Sequence, residues 1–586
     1  MRIHRKLKII FVVFVLMMFP WVADAAFIEQ IAVSTRAIAL ANTCTADPPG
    51  LMSVHYNPAG LSLLDDGKTF STGLVLPIIK RTGKFTANPD FGLMNDTWGP
   101  NAPYNPNDPL SAHGGPDPLA GKEGTNSDMR MYIPFYGPVD ILVSSNLGIS
   151  SRKKESKWTF AYAVYAPYGG GMAHRDEGDP LRFDCKSLYL QHLIYAAPTV
   201  SYQATPALSF GVSVGMGQTA MGLEVDQRIP NELVAMTRSI GDATKDLEIP
   251  VVSEQTLPPP WMGGGLGPYE YNTRLELNAR DDFTPSFNIG LLWRPKAWFS
   301  YGIVYQSEAT ADLTGRYRFE YSEQFQRVVD WFASSHMTMQ TAGMLDLPID
   351  GVPSQSGDVY GKQIFPHRIQ TGIMLKPLDS VKLLFDVHWA HWSAGEQNKF
   401  IFDQDIQLFR IAKVLGYTGG NRTLMLERNM KDEIHWSAAI EIQPIELITL
   451  RAGYEKRPTS TRENLFDALY FLPDMQFIGA GIGLHLPKNV HVDLSAGYLF
   501  NKGFKVPSNT STNFNSTVFT DIVYNPYTGL DYEQETSIYL ASFAVTMPLE
   551  VQMEMIHHQL EMVVHAVDSV KKIINKINPF YKNKNE

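Results

Sequence analysis

One pattern is written five times along this 586-residue chain: an alternating run of apolar and polar residues, a short turn carrying a proline, then a second alternating run closing on aromatics. The copies span Val200 to Met216 around Pro206, Phe287 to Tyr305 around Pro295, Ile369 to Trp389 around Pro377, Trp436 to Tyr454 around Pro444, and Ile478 to Phe500 around Pro487. Period-two alternation gives a strand one apolar face and one polar face. In the clearest case Val490, Val492, Leu494, Ala496, Tyr498 and Phe500 share one face, and His491, Asp493, Ser495 and Gly497 the other. Such strands can line a soluble sandwich, but long ones joined by short turns at one end and long loops at the other suit a closed barrel in a membrane. The predicted fold is therefore all-β, a transmembrane antiparallel barrel of about 14 strands. The expected strands are 68–81, 129–151, 158–167, 186–203, 208–226, 271–294, 298–320, 363–376, 381–400, 424–443, 447–458, 473–486, 490–501 and 535–547. An even strand number puts both barrel ends on the short-turn, periplasmic side.

The segments flanking this barrel, 67–548, carry their own signals. Arg2, Arg5, Lys6 and Lys8 precede the apolar run Ile9 to Trp21, and Ala23-Asp24-Ala25 follows, which predicts a secretory signal peptide over 1–25. The apolar run is short for a membrane anchor. Residues 26–66 hold no long alternation, so this segment either hangs in the periplasm or folds into the lumen as a plug. Beyond the last strand, Leu549, Met553, Ile556, Leu560, Val563, Val567, Val570, Ile574 and Ile577 follow a heptad spacing, predicting a periplasmic helical tail over 549–586. A coiled coil with a partner chain and an amphipathic helix docked under the barrel both fit. The net charge of −10 argues against nucleic acid as a partner. Cys44 and Cys185 belong to no metal motif, and their spacing leaves open whether they pair. The chain shows no Gly-x-Ser-x-Gly, His-Glu-x-x-His or phosphate loop, so no enzyme, catalytic residue, metal or cofactor is predicted.

Several pieces then agree in order. They are Ser34-Thr35-Arg36-Ala37, Ala46-Asp47 and Asn57-Pro58-Ala59-Gly60 ahead of the barrel, Tyr168-Gly169 after the third strand, Tyr305-Gln306-Ser307, Leu313-Thr314-Gly315, Asp386-Val387-His388-Trp389 to Trp392-Ser393, and Leu450-Arg451-Ala452-Gly453-Tyr454. Together they resemble the FadL family of outer-membrane long-chain fatty acid and hydrocarbon transporters. The tail past residue 548 and the long loops depart from that pattern. The resemblance implies that 26–66 is a hatch, with the turn Asn57, Pro58, Ala59 buried in the lumen. It also implies passive uptake of long-chain fatty acids or related hydrophobic compounds, in a barrel surrounded by outer-membrane lipid. The rival expectation is an outer-membrane surface receptor or adhesin, motivated by the long loops; a lipid-modifying barrel enzyme ranks below both.

Three sets of candidate residues follow. Phe325, Val328, Val329, Trp331 and Phe332 have helical spacing in an otherwise polar loop, with Met337 and Met339 after them; the resemblance makes them a capture site, while a loop helix packed on its neighbour is the plainer reading. By strand parity Arg294, Arg368 and Arg451 face the lumen, as do Asp386, Glu441, Glu455 and Asp493. These arginines either bridge lumen acids or receive a ligand carboxylate. Arg368, placed by the strand order at the extracellular end, is the first choice for the ligand. At Pro167-Tyr168-Gly169-Gly170-Gly171 a regular ladder should fail, because proline cannot donate and glycine packs nothing. The strand either ends there in its loop or, as the resemblance implies, kinks to release ligand sideways into lipid.

Overall fold

In the computed structural model, which describes residues 33–87, 117–230, 232–252, 255–414, 416–467, 473–501, 503–516, 518, 525–554 and 557, the alternating runs form one closed antiparallel barrel of 14 strands. The first seven strands are Gly67–Ala87, Ser144–Arg152, Trp158–Ala173, Ser187–Thr205, Leu208–Gln227, Thr273–Lys296, and Phe299–Gln306 continued by Ala309–Tyr321. The eighth to tenth are each double: Ser354–Phe365 with Arg368–Leu378, Val381–Ala390 with Gln397–Phe402, and Thr423–Glu427 with Glu433–Ile445. Ile448–Arg457, Met475–Leu486, Val490–Phe500 and Leu530–Pro548 complete the wall, and the last closes on the first in register Ile78↔Tyr539.

Alternation decides which way each side chain points. On the fifth strand Phe210, Val212, Val214 and Met216 are exposed on the outer surface, while Ser209, Gly211 and Ser213 turn inward and are buried. Aromatics edge this apolar belt, Tyr498 with Tyr539 and Trp436 with Tyr454 towards the long loops, Trp158 with Tyr202 and Trp293 with Phe299 near the short turns. Apolar side chains outside, with aromatic rims, suit a hydrocarbon layer. No helix among the described residues is long and apolar enough to cross a membrane.

Three strand expectations need correction. The second strand, expected unbroken over 129–151, runs only from Ser144 to Arg152, with short pieces at Glu123–Thr125 and Asp128–Met129 above it. Pro134 and Pro138 lack amide donors, and Phe135 and Gly137 take φ of 67° and 109°, so residues 130–143 leave the wall. The eighth strand starts at Ser354 rather than 363, and the last at Leu530 rather than 535, because the wall extends past the apolar belt.

Residues 33–66 lie inside the barrel. Helices Thr35–Ala39 and Ser53–Tyr56 and 3-10 turns Gly50–Met52 and Pro58–Leu63 carry them across the lumen. The wall admits this backbone at glycines: a Cβ on Gly290 would stand 2.0 Å from Asn57 Oδ1, one on Gly211 2.2 Å from the Pro58 carbonyl carbon, and one on Gly479 1.9 Å from the Ile38 oxygen. Asn57 donates to the carbonyls of Thr45 (2.9 Å) and Leu291 (3.2 Å) and accepts from the Ala59 amide (3.2 Å), so the buried turn is satisfied from both sides. Cys44 in this segment and Cys185 near the third strand's upper end are both free and buried. The expected signal peptide 1–25, residues 26–32 and most of the expected helical tail lie outside the described residues; 549–554 are helical.

Candidate functional site

At the long-loop end three helices close over the lumen: Glu232–Ala243, Glu323–Trp331 and Gln407–Val414. Ser322 caps the second through the Phe325 amide (3.2 Å). Their apolar faces enclose a pocket of about 140 Å³ lined by Val234, Leu266, Phe325, Val328, Phe332 and Ile411, among others. Of the seven candidate capture residues in the loop, Phe325, Val328 and Phe332 reach this pocket. Val329 is buried in the core cluster beneath it, and the Trp331 indole donates to the Pro258 carbonyl (2.9 Å). Met337 and Met339, on the helix His336–Leu345, lie off the pocket wall, Met339 being 44% exposed. The partner helices 232–243 and 407–414 went unread in the sequence, although Leu408, Ile411 and Ala412 carry the i, i+3, i+4 signal.

Asp346 fastens one side of this pocket. In a left-handed conformation (φ 56°) after the helix His336–Leu345, it accepts from Arg410 Nη2 (2.9 Å) and Asn421 Nδ2 (2.9 Å), with Lys413 at 3.8 Å. The Asn421 amide first, then Arg410 and Lys413, hold its carboxyl below the ordinary carboxylate range. A depressed carboxyl contributes fully above its unfolded pKa and loses that contribution as pH falls through the depressed value. Binding of an apolar dye at the pocket is therefore expected to weaken in acid, and Asp346→Asn should bind at neutral pH as weakly as the parent does in acid. A dye affinity flat with pH would count against the tie.

Below the pocket, Arg368 is buried on the inner wall with its guanidinium 5.7 Å from the centre of the Tyr168 ring. Tyr168 stacks on Phe365 (4.6 Å), which packs on His192 (5.0 Å). The structure thus joins one predicted lumen arginine to a predicted gate residue. The other two lie elsewhere. Arg294 sits by the Pro295 turn, its amide donating to Ala207. Arg451 faces Glu441 in register and binds it (2.7 Å) and Asp493 (2.6 Å).

That pair belongs to a larger network that ties the lumen segment to the wall. Glu441 also meets Arg36 (3.1 Å) and Lys382 (3.0 Å), and Asp47 meets the same two cations (2.6 and 2.8 Å). Arg36, Arg451 and Asp493 line a polar cavity of about 450 Å³ on the short-turn side. Deeper, Asp386 accepts from the Thr45 amide (2.7 Å) and Glu455 from Asn42 (3.0 Å). Among the described residues no group of three or more His, Cys, Asp or Glu is placed to hold a metal ion.

The wall has a window. Below it, the second strand pairs with the first up to Val75↔Ser144 and with the third up to Leu147↔Val164. Above it, pairing resumes at Thr82↔Thr125 and Met129↔Met172. Between these limits residues 76–81 and 165–171 have no second-strand ladder; the Asn126 side chain bridges the Ile79 carbonyl and Arg81 amide instead. On its other side the third strand shifts register twice against the fourth, between Ala163 and Tyr165 and between Tyr165 and Tyr168, then pairs through Gly169, Gly170 and Gly171. The break expected at Pro167–Gly171 is thus one-sided, and the missing ladder belongs to the second strand. Nothing stands within 4 Å of a Cβ on Gly169, and only Ile79 Cδ1, at 4.0 Å, approaches one on Gly170.

A family model described as outer membrane protein transport protein (OMPP1/FadL/TodX) matches residues 15–548. Among solved structures, a Pseudomonas aeruginosa FadL homologue aligns with a TM-score of 0.59 at 14% identity, over 90% of this chain and 100% of its own. The P. putida toluene transporter TodX aligns with a TM-score of 0.55 at 16% identity, over 89% and 99%. For the Ralstonia pickettii toluene transporter TbuX the values are 0.50 and 13%, over 88% and 99%. At these identities the likeness is one of fold. No curated protein matches the chain by sequence.

Proposed function

We propose a transport route for this chain, which belongs to the OMPP1/FadL/TodX family of outer membrane transport proteins. Its barrel spans the outer membrane, with the short turns towards the periplasm. The cargo is a long-chain fatty acid or a related hydrophobic compound. It first partitions into the apolar pocket between the loop helices, gaining about 0.8 kcal/mol for each methylene withdrawn from water. It then passes into the lumen beside Arg368 and Tyr168, and leaves sideways through the window into the outer leaflet. The observation that carries this reading is the juxtaposition of a buried cation and a gap in the wall, joined by one ring: Arg368, Tyr168 and the residues 165–171 that lack a second-strand partner. Such a path is downhill for an apolar molecule and needs no passage past residues 33–66.

A second reading of the cargo has its own support. A dry cavity of about 150 Å³ accepts benzene, and the loop pocket is of that size, about 140 Å³. An aromatic hydrocarbon would use the pocket and window without needing Arg368. Proteoliposomes separate the two. If the cargo is a fatty acid, labelled oleate should enter faster than with empty vesicles, and Arg368→Leu should slow it about tenfold. If the cargo is hydrocarbon, toluene should enter and be indifferent to Arg368→Leu. Gly169→Val with Gly170→Val fills the window and should slow either cargo by a similar factor; Gly171 is left alone because a Cβ there would stand 2.4 Å from the Arg130 carbonyl. Neither cargo entering faster than with empty vesicles would reject transport and favour a surface receptor.

A further inference from the structure

Residues 130–143, which leave the wall to open the window, do not simply loop into water. They run over the outside of the barrel, across the third strand and onto the fourth, fifth and sixth. The outer face there is fixed by register. Gln191, Tyr189 and Ser187 on the fourth strand oppose Ala220, Gly222 and Glu224 on the fifth, the even-numbered row that continues the exposed Phe210 to Met216; Ala220 and Gly222 oppose Arg280 and Asn278 on the sixth. Onto that face the Arg130 amide donates to the Gly171 carbonyl (2.9 Å) and Arg130 Nη1 to Ser187 (2.6 Å). Tyr132 donates its amide to Gln191 (3.3 Å), accepts at its hydroxyl from Arg280 (3.1 Å), and packs in a small cluster with Tyr189 and Ala220.

The inner side of the same segment points through the window. Leu142 is buried with Ile79, Val75, Phe477, Leu499 and Ile538 of the lumen, and Met129 and Met131 pack against that cluster. Met131 and Leu142 therefore stopper the opening while the backbone that carries them is fastened outside, and Met129, on the rung with Met172, adds to the plug from the wall.

The hairpin Met131–Ile133 with Gly137–Val139 ends in Phe135 and Tyr136. Phe135 is 105% exposed, in the left-handed region at φ 67°, and Tyr136 is 78% exposed. Ala220, against which Tyr132 packs, lies four residues beyond Met216, the last of the exposed apolar row on its strand. At roughly 3.3 Å per residue on a tilted strand, that sets the hairpin about 10 Å above the apolar belt. Headgroups occupy that depth, and aromatic side chains concentrate there.

We propose that residues 130–143 form an external clasp that closes the window, rooted on the outer wall by Arg130 and Tyr132 and seated at its tip, through Phe135 and Tyr136, in outer-leaflet lipid. The clasp rests on the window being the exit, but its closure can be read without cargo. With the tip in lipid, the state of the leaflet bears on the opening; freeing the root withdraws Met131 and Leu142.

Two measurements on the full chain in vesicles of bacterial outer-membrane lipid test this. For the tip, Phe135→Cys carries a fluorescent label, Cys44 and Cys185 being buried. A nitroxide placed at the lipid headgroup should quench the label more strongly than aqueous iodide; the reverse order would show the tip in water or on protein and overturn the lipid seat. For the closure, Ile79→Cys, 4% exposed at the native position, is labelled by a lipid-dissolved maleimide with and without Tyr132→Ala and Arg280→Ala. Release should speed labelling at least tenfold, and Tyr132→Phe, which loses only the hydroxyl, should fall between. Equal labelling in all three would overturn the clasp, whatever the cargo result. Faster labelling in a protein that carries no cargo would reject the transport route and leave the clasp standing.

Discussion

Deleting residues 27–60 is expected to leave an assembled barrel that conducts small ions, where the intact chain conducts none or far fewer. The ladder closes through neighbouring strands, last on first, and none of its rungs uses residues 33–66. Those residues instead occupy the lumen, packed on glycines of the wall and hydrogen-bonded across it by Asn57, Asn42 and the Thr45 amide. Their removal exposes Asp386, Glu441 and Glu455 to a continuous column of water, as in wider porin barrels. Stepwise currents in planar bilayers, at least tenfold above the parent, are the expected result. Currents no larger than the parent's would mean that the loop helices above the lumen, built around Phe319, Phe325, Phe402 and Phe409, close the barrel by themselves.

The barrel was legible because lipid outside and hatch inside enforce alternation. Where one of those surroundings ends, the signal ends. Ser354, Ser356 and Asp358 begin the eighth strand above the apolar belt, where both faces are polar, and the run reads as loop. The second strand failed for another reason. Residues 129–151 alternate well enough, but Pro134 and Pro138 deny the ladder two donors, and that local veto outweighs the pattern. In the site, the pairing of Glu441 with Arg451 could be read across the Pro444 turn because a hairpin fixes register. The roles of Arg36, Asp47 and Lys382 could not, since they meet only after three distant segments converge. Loop positions 325, 328 and 332 followed helical spacing, whereas the approach of Arg368 to Tyr168 needed the closed ring of strands. The window's outer cover had no sequence signal beyond two prolines and an aromatic pair.

Glu441→Gln should unseat the hatch without deleting it. This one carboxylate meets Arg36, Lys382 and Arg451, while Asp47 and Asp493 each hold part of the same set. Three cations and three carboxylates are balanced in the parent. Glutamine keeps the shape and removes one negative charge, so a net positive charge is left among half-buried groups. Removing one partner of a buried pair costs about 3–5 kcal/mol. With Lys382 30% exposed the lower end applies, since water screens part of the loss. About 3 kcal/mol corresponds to roughly a hundredfold rise in the population of the unseated state. Among the described hatch residues, Arg36 and Asp47 are the ones that join the network, so the repulsion acts on the hatch's first described helix, Thr35–Ala39. The expected record is brief, salt-dependent openings in planar bilayers, in contrast to the steady current of the deletion. A second variant tests the cause: Glu441→Gln combined with Lys382→Gln restores neutrality and should return the openings to near the parent level. If the double variant opens as often as the single one, the hatch is held by its glycine contacts and backbone hydrogen bonds, and the charges only fill the space between it and the wall.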